Sequence, residues 1–199
     1  MDNAASKPST LVICCGAIAN EIVTIIHANG WDHKKVECLP AKLHNQPDAL
    51  PEGVRAKIRA GRTRGEEVIV LYSDCGTGGA MAKVLEEEGV ENIGGAHCYE
   101  VFTGSEPFKA LMEDEPGSFF VTDFLARHFE KLVFKGLGLD RFPKLRNVYF
   151  GKYRQMVYLV QRENAENLAR AQAAAASIGL KLEVRHTGYG GFQKFLETK

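Results

Sequence analysis

Short apolar runs recur along the chain, separated by stretches with helical spacing. Residues 11–15 (Leu-Val-Ile-Cys-Cys) are apolar and stop at Gly16, which reads as a buried strand. Residues 19–28 place Ile22, Val23, Ile25 and Ile26 on one helical face and close on Asn29 and Gly30. Residues 36–39 are a second short strand ended by Pro40, a polar loop covers 41–48, and 51–60 is a basic helix. The clearest strand is 67–72 (Glu-Val-Ile-Val-Leu-Tyr), and a helix over 80–88 follows it. Residues 90–93 lead through Gly94 and Gly95 into a candidate strand ending at His97-Cys98-Tyr99-Glu100. Beyond it, 107–113 reads as helix, 118–121 as strand and 124–134 as helix, with Thr122 or Asp123 as its cap. The apolar segments 147–150 and 156–160 read as strands, 164–178 as an alanine-rich helix stopped by Gly179, and 180–184 as an alternating strand. A glycine turn at 187–191 and a helical turn at 192–196 close the chain.

Strands alternating with helices predict an α/β fold, a mostly parallel sheet with helices on both faces. Residues 1–9 read as a disordered leader and 10–199 as one α/β domain. Two small lobes divided near 136–146, where Gly, Pro and charge are dense, and one continuous sheet are both open.

Composition removes some function classes. Lys plus Arg and Asp plus Glu are 25 each, so no net field draws the protein to nucleic acid or an anionic membrane. No apolar stretch is long enough to span a bilayer, and residues 1–10 carry no signal pattern, so a cytoplasmic location is expected. Arg55, Lys57, Arg59, Arg62 and Arg64 form a basic run without interleaved aromatics, read as a solvated face. His27, His33 and His128 read as ordinary helix or loop residues, Trp31 as a packing anchor and Cys38 as core. Five cysteines without Cys-x-x-Cys spacing argue against both a disulfide framework and a zinc ribbon.

The chemistry-bearing residues collect where open α/β sheets bind ligands, beyond the carboxyl ends of strands. Cys14 and Cys15 end the first strand, Asp74-Cys75-Gly76-Thr77-Gly78-Gly79 follow the 67–72 strand, His97-Cys98 follow the next, and His186 ends the last. Thiolate with imidazole suits zinc or iron, so Cys75, Cys98, His97 and Cys14 are candidate ligands of a metal ion or metallocofactor. Neighbours on an extended strand face opposite ways, so His97 and Cys98 reach one ion only if a turn begins there. A second reading is a binding module for an anionic or pterin-like small molecule, seated on the glycine turn at a helix start. That turn is neither a Walker loop nor Gly-x-Gly-x-x-Gly. A third is a Cys-dependent transferase or hydrolase with Cys75 as nucleophile and His97 as base, a role Asp74 opposes.

Tyr72-Ser-Asp-Cys-Gly-Thr-Gly-Gly79 together with Gly95-Ala-His-Cys-Tyr-Glu100 resembles an uncharacterised family, domain of unknown function 1638, over most of the chain after residue 10. The resemblance carries Asp74, Cys75, Gly76, Gly78, Gly79, His97, Cys98, Tyr99 and Glu100. The family brings no established activity. Its members are often encoded beside corrinoid-dependent methyltransferase systems for methylated amines, in bacteria and methanogenic archaea. This implies a role in one-carbon or methyl-group metabolism and a corrinoid methyltransferase system protein as a partner. Asp74, Gly76, Thr77, Gly78, Gly79, Tyr99 and Glu100 are then the expected cofactor-contacting residues around the Cys and His ligands.

Overall fold

The continuous apolar run of residues 11–15 sets the architecture. In the computed structural model, which describes residues 8–199, β1 (Thr10–Cys15) is the centre of a three-stranded parallel sheet. It pairs in register with β2 (Lys34–Leu39) on one side and β3 (Glu67–Leu71) on the other. Leu11 and Ile13 point into a cluster with Leu50, Val54 and Ile58 of α2 (Leu50–Thr63) and Met81 and Leu85 of α3 (Ala80–Glu87). Val12 and Cys14, which alternate with them, are equally buried. A strand covered on both faces has to be apolar throughout, as residues 11–14 are. Helix α1 (Ala19–Ala28) buries Ile22, Ile25 and Ile26, three of the four residues read from its spacing, while Val23 is exposed.

A second parallel sheet follows the same logic. Its strands are β4 (Ser118–Thr122), β5 (Gln155–Val160) and β6 (Lys181–His186), with β5 central and buried along its length. Between the two sheets in sequence come α4 (Cys98–Thr103) and α5 (Ser105–Asp114). The Thr122 hydroxyl caps α6 (Asp123–Phe129), which runs into a π-helical turn over Glu130–Phe134. After α7 (Leu145–Phe150), the Asn164 side chain caps α8 (Ala165–Ile178). Ala171, Ala174, Ala175 and Ile178 face the core with Phe129, Met156 and Tyr158, so the alanines give α8 a smooth, closely approached face.

The described residues fall into two units. One holds the chain up to Cys98 together with Phe192–Lys199, and the other is Tyr99–Gly191. Residues 136–146 lie inside the second unit. Helix α9 (Gly191–Glu197) buries Phe192 and Leu196. Of the expected leader, residues 1–7 lie outside the described residues.

Three local readings are corrected. Residues 147–150, expected as strand, are in α7, and two of their apolar side chains, Val148 and Tyr149, face solvent. A four-residue apolar run has no period to separate strand from helix. The loop at 41–48 contains two short 3-10 turns, Ala41–Asn45 and Pro47–Ala49. The strand expected to end at His97–Glu100 stops early: Asn92 makes one parallel bridge to Val70, and α4 begins at Cys98. Gly94 and Gly95, both at positive φ, turn the chain between them.

The basic run is a solvated face only in part. Arg55 bonds Glu52, Glu87 and Glu88, while Arg59 and Arg62 also converge on Glu88, joining α2 to α3. Lys57 and Arg64 pair with Glu37, and Arg64 also with Glu66. The cations are matched by acids of the same chain.

Candidate functional site

The turn after β3 is built around its own carboxylate. Asp74 accepts from the Thr77 hydroxyl at 2.7 Å, from the Gly79 N–H at 2.8 Å and from the Gly78 N–H at 3.2 Å. The Thr77 hydroxyl, followed by the Gly79, Gly78 and Gly76 N–H groups, holds the Asp74 carboxyl below the usual carboxylate range. Thr77 Oγ1 in turn accepts from the Met81 N–H in the first turn of α3. Gly76, Gly78 and Gly79 all take positive φ, which lets their amides bend onto that carboxylate. The N–H groups of Gly78 and Gly79, expected to cradle an external anion, already have an internal one.

Cys75 occupies the strained position of this turn. Its φ of 49° is in the left-handed region, and it is the one non-glycine residue there among the described residues. The turn is tied to residues 95–98 by the Asp74 N–H to Gly95 O, at 3.0 Å, and the Cys75 N–H to Ala96 O, at 2.9 Å. The Cys75 sulfur accepts from the Cys98 and Ser73 N–H groups. Burial, and then the neighbouring Cys15 thiol, nonetheless push its pKa up to about 11, with Asp74 acting the same way; the two N–H groups offset only part of this. The free thiol is therefore protonated at neutral pH.

Tyr72 and Ser73, which precede this turn, bring two further polar groups. The Tyr72 hydroxyl and Ser73 Oγ are buried, their residues 2 % and 3 % exposed, with no oxygen or nitrogen partner among the described residues. The Cys15 sulfur lies beside the Tyr72 hydroxyl and accepts the Ala17 N–H at 3.4 Å. Burial raises the Tyr72 phenol, and the Cys15, Cys14 and Cys75 thiols add to the effect. Burial also raises the Cys15 thiol.

The structure thus brings together Asp74, Cys75, Gly76, Thr77, Gly78, Gly79 and Cys98, and His97 lies at the turn that precedes α4. Cys14 is farther into the sheet. It is fully buried, stands opposite Cys38 in the β1–β2 register, and its thiol is raised by burial first and then by Cys38, Cys15 and Glu21. Cys38, expected in the core, is exposed. Tyr99 and Glu100 belong to the second unit, where the Tyr99 ring stacks on Phe120 and the Glu100 carboxylate accepts from Ser105 Oγ. Among the described residues no three His, Cys, Asp or Glu side chains converge closely enough to hold a metal ion. None of the cysteines is in a disulfide.

Sequence reasoning missed His44, Tyr72 and Ser73. His44 follows β2 in the first 3-10 turn; burial, with His97 adding to it, lowers its pKa. The strand-end rule applied to β2 would have found it, together with Cys38. Tyr72 read as the end of a strand, and nothing local marks its hydroxyl or that of Ser73 as buried.

Fold and site together define a class: an α/β protein of two parallel-sheet units, with a thiol-rich turn at the carboxyl edge of the first sheet. The chain belongs to a family described as a protein of unknown function, DUF1638, which matches residues 38–196. No curated protein and no solved structure matches it. No helix among the described residues is long and apolar enough to cross a membrane.

Proposed function

We propose that this protein binds a metallocofactor through the Cys75 thiolate and serves methyl-group or one-carbon metabolism, as a catalyst or an auxiliary. The observation that carries the reading is a buried thiol, Cys75, that accepts two backbone N–H groups, preceded in the chain by Ser73, whose buried hydroxyl has no partner among the described residues. Buried polar atoms almost always have partners, and a ligand seated on Cys75 supplies them. Hydrogen bonds to sulfur are a recurrent means of tuning metal-bound thiolates. Metal binding also takes the proton that burial otherwise keeps on the thiol.

With no third donor converging among the described residues, the residues suit a metal that brings its own ligands better than bare zinc, which takes three or four from the protein. Cys98 and His97 stand next along the chain as further donors. The methyl-group part of the proposal rests on the family resemblance, and a corrinoid methyltransferase system protein is the proposed partner.

The other two readings have less support. An anionic or pterin-like ligand on the glycine turn competes with Asp74 for the Gly78 and Gly79 N–H groups. A nucleophilic Cys75 would start from a protonated thiol.

The test is a spectroscopic titration of anaerobically purified protein with aquacobalamin, beside elemental analysis. Wild type is expected to develop a thiolate-to-cobalt charge-transfer band and Cys75→Ser to develop none. Identical titrations of the two proteins, with equal and substoichiometric metal contents, would overturn the proposal.

A further inference from the structure

The second unit has a cavity of its own, of about 560 Å³, at the carboxyl end of β6. One wall is apolar: Phe102 from α4, with Pro107, Ala110 and Leu111 from α5. Arg185 and His186, the last two residues of β6, bring cationic and imidazole groups to the cavity, and Asp114, the last residue of α5, brings a carboxylate. Apolar walls with a few convergent polar groups are the usual make-up of a small-molecule site, and the end of a parallel strand is its usual place.

The charges are arranged in a way that names a ligand class. Arg185 Nε donates to Glu183 at 2.5 Å, which leaves its two terminal nitrogens over. His186 Nδ1 is 3.8 Å from Glu163. Among the described residues neither side chain forms an ion pair with Asp114, although all three line one cavity. Opposite charges that face one space without meeting fit a ligand carrying both charges.

We infer that this cavity binds a zwitterion with an apolar side chain, an α-amino acid. Its carboxylate is held by Arg185 and His186, its ammonium by Asp114, and its side chain lies against Phe102 and Leu111. The inference is independent of the Cys75 reading, because it uses other residues and the other unit.

The experiment is isothermal titration of the full chain with L-phenylalanine, with the deaminated acid (phenylpropanoate) and with the decarboxylated amine (phenethylamine). Each analogue is expected to bind at least about tenfold more weakly than the amino acid, because each forfeits one charged contact. Arg185→Gln abolishes amino-acid binding. Asp114→Asn brings the amino acid and the deaminated acid to equal affinity, and Cys75→Ser changes nothing. Arg185 and Asp114 are exposed, and circular dichroism checks that each variant is folded. The inference is overturned if wild type binds the deaminated acid as tightly as the amino acid, or if millimolar amino acid binds no better to wild type than to Arg185→Gln.

Discussion

Cys75 holds a backbone conformation that glycine would hold more easily. A non-glycine residue in the left-handed region costs roughly 1 kcal/mol. Cys75→Gly is therefore expected to be more stable than Cys75→Ala by about 1 kcal/mol, since both lose the thiol and only one loses the strain. Urea unfolding of the two variants measures the difference, and equal midpoints would show that the turn is unstrained. The thiol also sets a rate. With its pKa near 11, Cys75 alkylation by iodoacetamide should climb about tenfold per pH unit from pH 7 and show no plateau below pH 10. A plateau near neutrality would mean that the N–H groups of Ser73 and Cys98 outweigh burial. Cys75 was legible as a site residue because it follows a strong strand. Its positive φ was not, because the neighbouring glycines concealed which residue takes the strain. Cys38 was misread because a free cysteine in a strand is usually buried, whereas here it is exposed near the end of β2.

Two joints between elements carry testable energy. The Asp74 carboxylate ties β3 to α3 through Thr77, Gly78 and Gly79. Replacing it with Ala should cost about 1–2 kcal/mol, the usual size for a charged group that satisfies backbone donors at a helix start. Because the folded carboxyl sits below its usual range, its contribution is fully present above about pH 4, the unfolded value. That contribution is lost as pH falls through the folded value. Asp74→Asn should accordingly show a flatter loss of stability on acidification than wild type, followed by denaturant midpoints from pH 6 to pH 2. The second joint is Glu88, whose side chain is 8 % exposed and meets Arg55, Arg59 and Arg62. Glu88→Gln should lower stability, and by less at high salt, because the three arginines then lose their shared carboxylate; chemical denaturation at two ionic strengths checks it. Most elements were legible at this scale because α1, α2, α3 and α8 have periodic faces and clear stops. Helix α4 was not, since its start depends on the turn made by Gly94 and Gly95 and on the bond from the Cys98 N–H to Cys75.

Across the whole molecule, alternation of strand and helix revealed the α/β class and parallel pairing. Why the strands form two sheets was hidden, because each of β1 and β5 reads as a central strand with nothing to say which neighbours it will find. The sequence also conceals that the last residues belong with the first unit. Phe192 and Leu196 are the sign of it in the fold, buried at 1 % and 0 % exposure on a helix of seven residues. Removing Phe192–Lys199 should therefore loosen the first unit, and Ellman's reagent should titrate its buried thiols, Cys14 and Cys75, faster than in the intact chain. Unchanged kinetics would mean that the first unit is complete without this helix.

The same arrangement governs the order in which a ribosome can deliver the protein. The second unit is one uninterrupted segment, ready to fold once Gly191 has left the exit tunnel. The first unit is emitted earlier but lacks its closing helix until Phe192–Lys199 has followed the second unit out. Its cysteine-bearing turn therefore waits on an unfinished scaffold while the second unit is made, and whatever seats on Cys75 should be acquired after that helix has emerged.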